Sequence, residues 1–313
     1  MTQGRLSLAV LGPGGVGGFL AAVMAREGSS VLVLAGPETS RAIAQHGLQL
    51  ESKRFGNFQV SVQTSERLTK PVDACFVTVK ATQLSDALGR LPVGALGDGL
   101  VIPFLNGLEH IDTLRSVYEP TIVVAATIRI ETTRIGPGVI RHTSPFAAVE
   151  LAASVDNRER VDRIAEHMTA AGLDARVRDD ELATLWDKFA LLAPMALLTT
   201  HEYANVGTIR TKRRTDAIAL IHEIAAVAEA DGVNIDPEAV LRLMDSVPES
   251  MESSMQRDQT AGRPLELDAL GGALLRRAHK ARVAVPVTRR IVDELESRSG
   301  RSVSPRAPGP ASS

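Results

Sequence analysis

Lys188 and Glu266 are charged residues set among apolar neighbours, the kind of place where proton transfer is expected. Lys188 lies in Leu185-Trp186-Asp187-Lys188-Phe189-Ala190, ahead of an apolar run through Leu198. A lysine there either snorkels its ammonium to water or is partly desolvated, which lowers its pKa and suits it to general acid catalysis. Glu266 sits in Pro264-Leu265-Glu266-Leu267-Asp268-Ala269-Leu270, which reads as helix. A buried carboxylate needs a cation, and Lys188 is the natural partner. Two further polar residues follow apolar runs: Lys80 after Val77-Thr78-Val79, and Asn106 after Phe104-Leu105. At the carboxyl ends of parallel strands, where open α/β sheets place ligands, such a lysine can meet phosphate or carboxylate. Such an asparagine can hydrogen-bond a ribose or a substrate hydroxyl. The same two residues also fit a helix-opening lysine and an Asn-Gly turn.

The N-terminus carries a more specific signal. Gly12-Pro13-Gly14-Gly15-Val16-Gly17 satisfies G-x-G-x-x-G directly after one strand and opens a helix. Gly12 allows the tight turn, Gly14 lets backbone approach a pyrophosphate, and Gly17 lets helix and strand pack closely. The helix N-terminus adds free N–H groups and a favourable dipole. With its context present on both sides, the motif predicts a bound dinucleotide. The choice between NADP and NAD stays open at Leu34-Ala35-Gly36-Pro37-Glu38-Thr39-Ser40-Arg41. Glu38 suits a ribose, whereas Thr39, Ser40 and Arg41 suit a phosphate, and each equally fits a helix cap or first turn.

The elements that would position these residues alternate in the first half of the chain. Strands are expected at Leu6–Leu11, Val31–Leu34, Ala74–Val79 and Leu100–Phe104, with helices at Val16–Arg26, Glu38–His46 and from Gln83 and His110. This alternation predicts a parallel sheet covered on both faces. Three β-rich runs between Ile122 and Glu150, split by Gly136-Pro137-Gly138 and Ser144-Pro145, read as an antiparallel extension. After Asp156 no further strand is expected. Helices are expected at Arg158–Ala171, Asp180 to about Thr199, Lys212–Asp231, Pro237–Asp245, Pro264–Arg282 and Pro286–Ser297. The fold class is therefore an α/β Rossmann-like domain over 1–178 and an all-α substrate and catalytic domain over 179–297. Residues 298–313, rich in Ser, Pro, Gly and Arg, read as a disordered tail.

Two domains also suit 313 residues with 44 % hydrophobic and 23 % charged content. Aromatics make up only 3 %, so the core must rest on Ala, Val, Leu and Ile. A net charge of −2 gives no general attraction for nucleic acid. The clusters Lys212-Arg213-Arg214 and Arg289-Arg290 read as solvated helix faces. Cys75, the single cysteine, excludes an internal disulfide and reads as a buried strand thiol. The chain enters a strand at once, leaving no room for a signal peptide, and no apolar stretch is expected to approach the roughly twenty residues that span a bilayer. A cytoplasmic protein with no metal site, no membrane partner and a small-molecule substrate is expected.

These segments together resemble the ketopantoate (2-dehydropantoate) reductase family along almost the whole folded length. The matches are the glycine loop, Val79-Lys80-Ala81, Asn106-Gly107, Leu185-Trp186-Asp187-Lys188, Ser253-Ser254-Met255-Gln256-Arg257-Asp258 and Gly262-Arg263-Pro264-Leu265-Glu266-Leu267-Asp268. Leu274-Leu275-Arg276-Arg277-Ala278 and Val283-Ala284-Val285-Pro286 complete the series. The resemblance implies NADPH-dependent reduction of a 2-keto acid, 2-dehydropantoate to pantoate in pantothenate biosynthesis or a more apolar relative. It implies that Lys188 protonates the ketone oxygen and that Glu266 holds Lys188 and the bound ligands. Asn106 and Ser254 would position substrate, Lys80 would lie near the cofactor, and family habit adds a homodimer. Three departures bear on specificity. Family members often carry Arg where this chain has Gly36. They commonly carry Asn at the positions of Leu192 and Ala196, and Thr at that of Leu265. Aliphatic groups in place of amide donors weaken recognition of a hydroxylated keto acid. A 3-hydroxy-acid dehydrogenase of the 6-phosphogluconate-dehydrogenase type and a noncatalytic dinucleotide-binding regulator are the competing readings. The Ser254–Glu266 segment argues against the first, and retention of Lys80, Asn106, Lys188 and Glu266 against the second.

Overall fold

The computed structural model of the chain describes residues 4–301. Strands that are apolar on both faces pair in parallel and need helices to return the chain. Four such strands do so here, with the polar edge strand Gln63–Ser65 added, in the order Gln63–Ser65, Ser30–Leu34, Ser7–Leu11, Ala74–Val77, Leu100–Pro103. Leu8 is in register with Val31 on one side and Ala74 on the other. The order therefore reverses between Ser7–Leu11 and Ala74–Val77, and the crevice outside their carboxyl ends is where such sheets bind ligands. Helix Gly15–Glu27 contributes a fully buried run from Phe19 to Met24 to the core. With few aromatics, the core uses them in pairs, such as the Phe76 and Phe104 rings packed edge to face at 5.6 Å.

Strands Leu48–Ser52, Phe58–Val60 and Gln63–Ser65 fall where none is expected. Leu48–Ser52 pairs antiparallel with Phe58–Val60 and parallel with Val139–His142, which in turn pairs antiparallel with Thr132–Gly136. The antiparallel pairing expected between Ile122 and Glu150 is thus divided between two further sheets. The other joins Ala148–Ala152 to Ala126–Arg129 in antiparallel and to Asp174–Arg178 in parallel. A bridge between Val101 and Val123 links the main sheet to this region. Asp174–Arg178 corrects the expectation that strands end before Asp156. Its alternating charges read as loop, but on this edge they pair, Arg178 with Glu150 at 2.9 Å and Asp174 with Arg54 at 3.1 Å.

The described residues form two compact units that part inside helix Glu181–Glu202, between Phe189 and Ala190. The sequence places its boundary ahead of that helix, at 178/179. Contrary to expectation, this 22-residue helix reaches the length and composition of a bilayer span. Because 67 % of its apolar window is buried inside the protein, it serves as a core helix.

The second unit is helical. Asp236 caps Pro237–Ser246 by accepting from the Glu238 N–H at 2.9 Å. A short helix that is not expected, Val206–Lys212, capped by Asn205, precedes the expected Lys212–Asp231 helix, which runs over Arg214–Ala230. Glu223 of the latter accepts from the Val287 and Thr288 N–H groups at 2.8 and 2.9 Å, capping Pro286–Arg301 from its neighbour. That last helix runs past its expected end at Ser297, and residues 302–313 of the expected tail lie outside the described residues. The helix expected over Pro264–Arg282 also needs correction. Proline disfavours helical backbone at Arg263, and Pro264–Glu266 stay outside the helix. A π-helical turn, Asp268–Gly272, leads into Ala273–Ala281. Ser254–Thr260 adds a short helix that is not expected.

Candidate active site

The glycine loop is shaped by what cannot fit around it. Gly12 takes φ +90°, and a Cβ there would stand 2.6 Å from Val79 Cγ1. A Cβ on Gly17 would collide with Thr78 Oγ1 and the Gly12 carbonyl. The Thr78 hydroxyl itself donates to the carbonyls of Leu11 and Gly12 at 2.9 and 2.7 Å. The Ala74 strand ends at Val77, two residues before its expected end, and Thr78 ties the two strand ends together. Pro13 spans the turn, and Gly15 and Val16 open the helix.

The arrangement fits a dinucleotide. A Cβ on Gly14 would meet nothing within 4 Å, so bare backbone faces open space. Gly14 is also the N-cap, with no side-chain cap and no acidic residue in the first turn. Its first N–H groups are thus left to an incoming anion.

At the carboxyl end of Leu100–Pro103 the chain turns through Asn106 and Gly107, the latter at φ +95°. Asn106 Oδ1 accepts a hydrogen bond from Lys188 Nζ at 3.0 Å. This joins two residues 82 positions apart and points the ammonium at a strand end. His110, at the start of His110–Arg115, lies close enough to feel the Lys188 charge. His110 is 5 % exposed, and among the described residues neither ring nitrogen has a hydrogen-bond partner. Burial, with the Lys188 charge adding to it, lowers its pKa from 6.5 to about 3, so it stands neutral beside the ammonium.

The turn bearing Lys188 is held from both sides. Arg115 grips Glu181 in a two-pronged pair at 2.8 and 2.6 Å. Asp180 Oδ1 accepts from the Ala183 N–H at 2.9 Å. Asp187 pairs with Arg178 at 3.1 Å, and Glu150 bridges Arg178 and Arg129, each at 2.9 Å. Burial alone would raise the Glu150 pKa, but the two guanidiniums outweigh it and hold the carboxyl below its ordinary value. Trp186 and Phe189 pack edge to face at 5.4 Å, locking the apolar side of the turn.

Lys80 is a half-buried N-cap of the 3₁₀ turn Ala81–Gln83, just beyond Thr78 and Val79. Lys188, Asn106, Lys80 and the glycine loop all belong to the first unit, and Ser254 and Glu266 to the second. Glu266 is 5 % exposed, and its carbonyl accepts from the Leu270 N–H at the π-helical turn. Ser254 is half-buried at the start of its helix. The preceding Ser253 is the cap, accepting from Gln256 N–H at 3.1 Å and from Thr199 Oγ1 at 2.8 Å. Thr78 and His110 are not found from sequence. Thr78 sits in an ordinary Val-Thr-Val alternation, and a histidine opening a short helix gives no sign of burial. Cys75 is buried as expected, and burial pushes its thiol up to about 12, leaving a neutral packing group.

Residues 8–154 match the family described as ketopantoate reductase PanE/ApbA, and residues 180–299 match ketopantoate reductase PanE/ApbA C terminal. The uncharacterized oxidoreductase YkpB of Bacillus subtilis is 28 % identical over 92 % of this chain and 97 % of its own length. A 2-dehydropantoate 2-reductase of Mycobacterium tuberculosis is 29 % identical over 93 % of this chain and 97 % of its own. Among solved structures, a PanE/ApbA family ketopantoate reductase from Ralstonia eutropha superposes with a TM-score of 0.84 at 27 % identity, covering 95 % of this chain and all of that one (100 %). D-mandelate dehydrogenase, in a ternary structure with NADH and anilino(oxo)acetate, reaches a TM-score of 0.87 at 21 % identity, covering 94 % and 99 %.

Proposed function

The chain belongs to the PanE/ApbA ketopantoate reductase family of oxidoreductases acting on CH–OH groups, and from that premise we propose that it reduces a 2-keto acid to a 2-hydroxy acid with NADPH. The observation that carries this reading is the Lys188 ammonium held on Asn106 at 3.0 Å. It lies in the same unit as a glycine loop fitted to a dinucleotide. When bound, the dinucleotide supplies a hydride to the ketone carbon. Lys188 donates a proton from Nζ to the ketone oxygen, so no bare alkoxide has to form. Asn106 Oδ1 keeps the ammonium aimed. His110, held neutral, adds no second positive charge beside it. Glu266 and Ser254 complete the ligand contacts in this proposal, on the family resemblance. The match across both halves of the chain favours this activity over a 3-hydroxy-acid dehydrogenase of the 6-phosphogluconate-dehydrogenase type.

Within that activity we favour a keto acid more apolar than 2-dehydropantoate. Leu192 follows Lys188 by one helical turn on the same face and is half-buried. It offers methyl groups where an amide would bind a hydroxyl. The D-mandelate dehydrogenase neighbour, solved with NADH and anilino(oxo)acetate, accords with an aromatic group on a substrate of this fold. A cytoplasmic location belongs to the same proposal.

The test is NADPH oxidation against a panel of branched, aromatic and hydroxylated 2-keto acids. Apolar acids should turn over faster than 2-dehydropantoate. Leu192→Asn should move the ratio of kcat/KM towards the hydroxylated acid by about 10-fold or more. Rapid turnover of 2-dehydropantoate by the parent, unaltered in Leu192→Asn, would remove the argument from Leu192.

A further inference from the structure

We propose that Arg90 is the cation that receives the 2′-phosphate of NADPH. This rests on the NADPH-dependent reading above and names the residue that would make that choice. In sheets of this topology the adenosine ribose lies at the end of the second strand, where an acid selects NAD and a nearby arginine accepts the NADP phosphate. Here that strand ends in Leu34-Ala35-Gly36, with no acid, and the next helix begins at Pro37. Gly36 has no side chain of its own. Among the described residues, a Cβ built there would meet within 4 Å only the guanidinium of Arg90, its Nη2 at 3.9 Å. A cation from a distant segment therefore overhangs the position.

Ser40 and Arg41 of the adjoining helix are otherwise engaged. The Ser40 hydroxyl donates back to the Ala35 carbonyl at 3.2 Å. Arg41 Nε donates to the Pro37 carbonyl at 3.4 Å on an exposed face. Arg90 is half-buried, and among the described residues no carboxylate pairs with its guanidinium. A partly desolvated guanidinium without a counter-charge is suited to an anionic ligand, and phosphate matches its forked donors.

Its backbone is also fixed relative to the strand end. The Arg90 N–H donates to Ala87 O at 3.0 Å, and its carbonyl accepts from Leu68 N–H at 2.9 Å. The adjacent Leu91 carbonyl accepts from the Tyr118 hydroxyl at 2.6 Å. Ser65, just before Leu68 in the chain, accepts from the Ala35 N–H at 3.0 Å and pairs with Leu34. The segment 65–68 thus ties Arg90 to the end of the second strand.

The test titrates the full-length parent, Arg90→Gln, Arg90→Lys and Arg41→Gln with NADPH and NADH, reading nicotinamide fluorescence. The parent should bind NADPH more tightly than NADH. Arg90→Gln should weaken NADPH about 10- to 100-fold, the loss of a charged hydrogen bond. NADH affinity should stay unchanged in that variant, which also reports an intact fold. Arg90→Lys should retain part of the preference. Equal weakening of both dinucleotides would put Arg90 on the shared adenosine and overturn the proposal. So would a parent that prefers NADH, or an Arg41→Gln variant that loses NADPH while Arg90→Gln does not. A parent that binds neither dinucleotide would overturn the functional reading itself.

Discussion

The glycine loop and the lysine turn both present polar groups at the carboxyl ends of parallel strands, but they are fixed by different means. The loop is set by backbone and by missing side chains. Gly12 at φ +90° and Gly17 against Thr78 leave no room for a Cβ, and the one side chain that locks the loop bonds only to carbonyl oxygens. The lysine turn is set by side chains throughout. Arg115, Arg178 and Asn106 each reach it from another element, and Trp186 and Phe189 wedge its apolar side. The difference suggests a division of labour in which steric exclusion shapes ligand binding and half-buried charge pairing aims the chemistry.

Lys188→Ala gives the sharpest test of that division. Turnover of the preferred keto acid should fall by about 10²–10⁴-fold, while dinucleotide affinity measured by fluorescence titration stays at the parent value. A matching fall in dinucleotide affinity would show the two regions to be one.

Gly12→Ala should do the reverse. Forcing a side chain into that backbone region costs about 1–3 kcal/mol, and crowding against Val79 adds to it. Dinucleotide affinity and thermal midpoint should both drop. A variant that melts and binds like the parent would mean the loop is held by something other than steric exclusion.

His110 tests the charge side through pH. Its folded pKa of about 3 lies below its ordinary 6.5, so between these values the unfolded chain holds the extra proton. Its contribution to stability is intact above pH 6.5 and is lost as pH falls, by about 1.4 kcal/mol per pH unit. Denaturant melts of the parent and His110→Leu between pH 7 and 4 should converge in slope if His110 is not the cause, and diverge if it is.

The smallest effect belongs to Glu150→Gln, about 1 kcal/mol at neutral pH. The lowered pKa of Glu150 stabilises the fold above its ordinary value of 4.5, and that stability disappears as pH falls through the lower folded value. The variant should therefore lose less stability than the parent on acidification below pH 4.5. An identical acid profile would remove Glu150 from the support of the lysine turn.

Legibility in the sequence follows the same divide. The strand before Gly12, the helix after it and the long lysine helix were readable because each is a local pattern of apolar residues with known periodicity. Leu48-Gln49-Leu50-Glu51-Ser52 carried a readable alternation too, with Leu48 and Leu50 buried, yet its shortness hides it between turns. Asp174–Arg178 had no such signal, since its charges are satisfied only by Glu150 and Arg54 from other segments. The sequence places Glu266 inside a helix, whereas helical backbone begins only at Leu267, just beyond it. Ser254 is expected to meet substrate, and the structure gives the neighbouring Ser253 a separate task, capping the helix that Ser254 opens.

What the sequence determined by itself was a dinucleotide loop, an alternating α/β half and a helical half with a lysine among apolar residues. Each follows from interactions within a few residues, where glycine, proline and apolar spacing act directly on the backbone. Tertiary structure decided which groups meet: Lys188 on Asn106, His110 buried beside them, Thr78 on the glycine loop and Arg90 over Gly36. Those pairings span separations that no local pattern encodes. Their strength comes from water excluded by the whole fold, which exists only once the chain has closed around them.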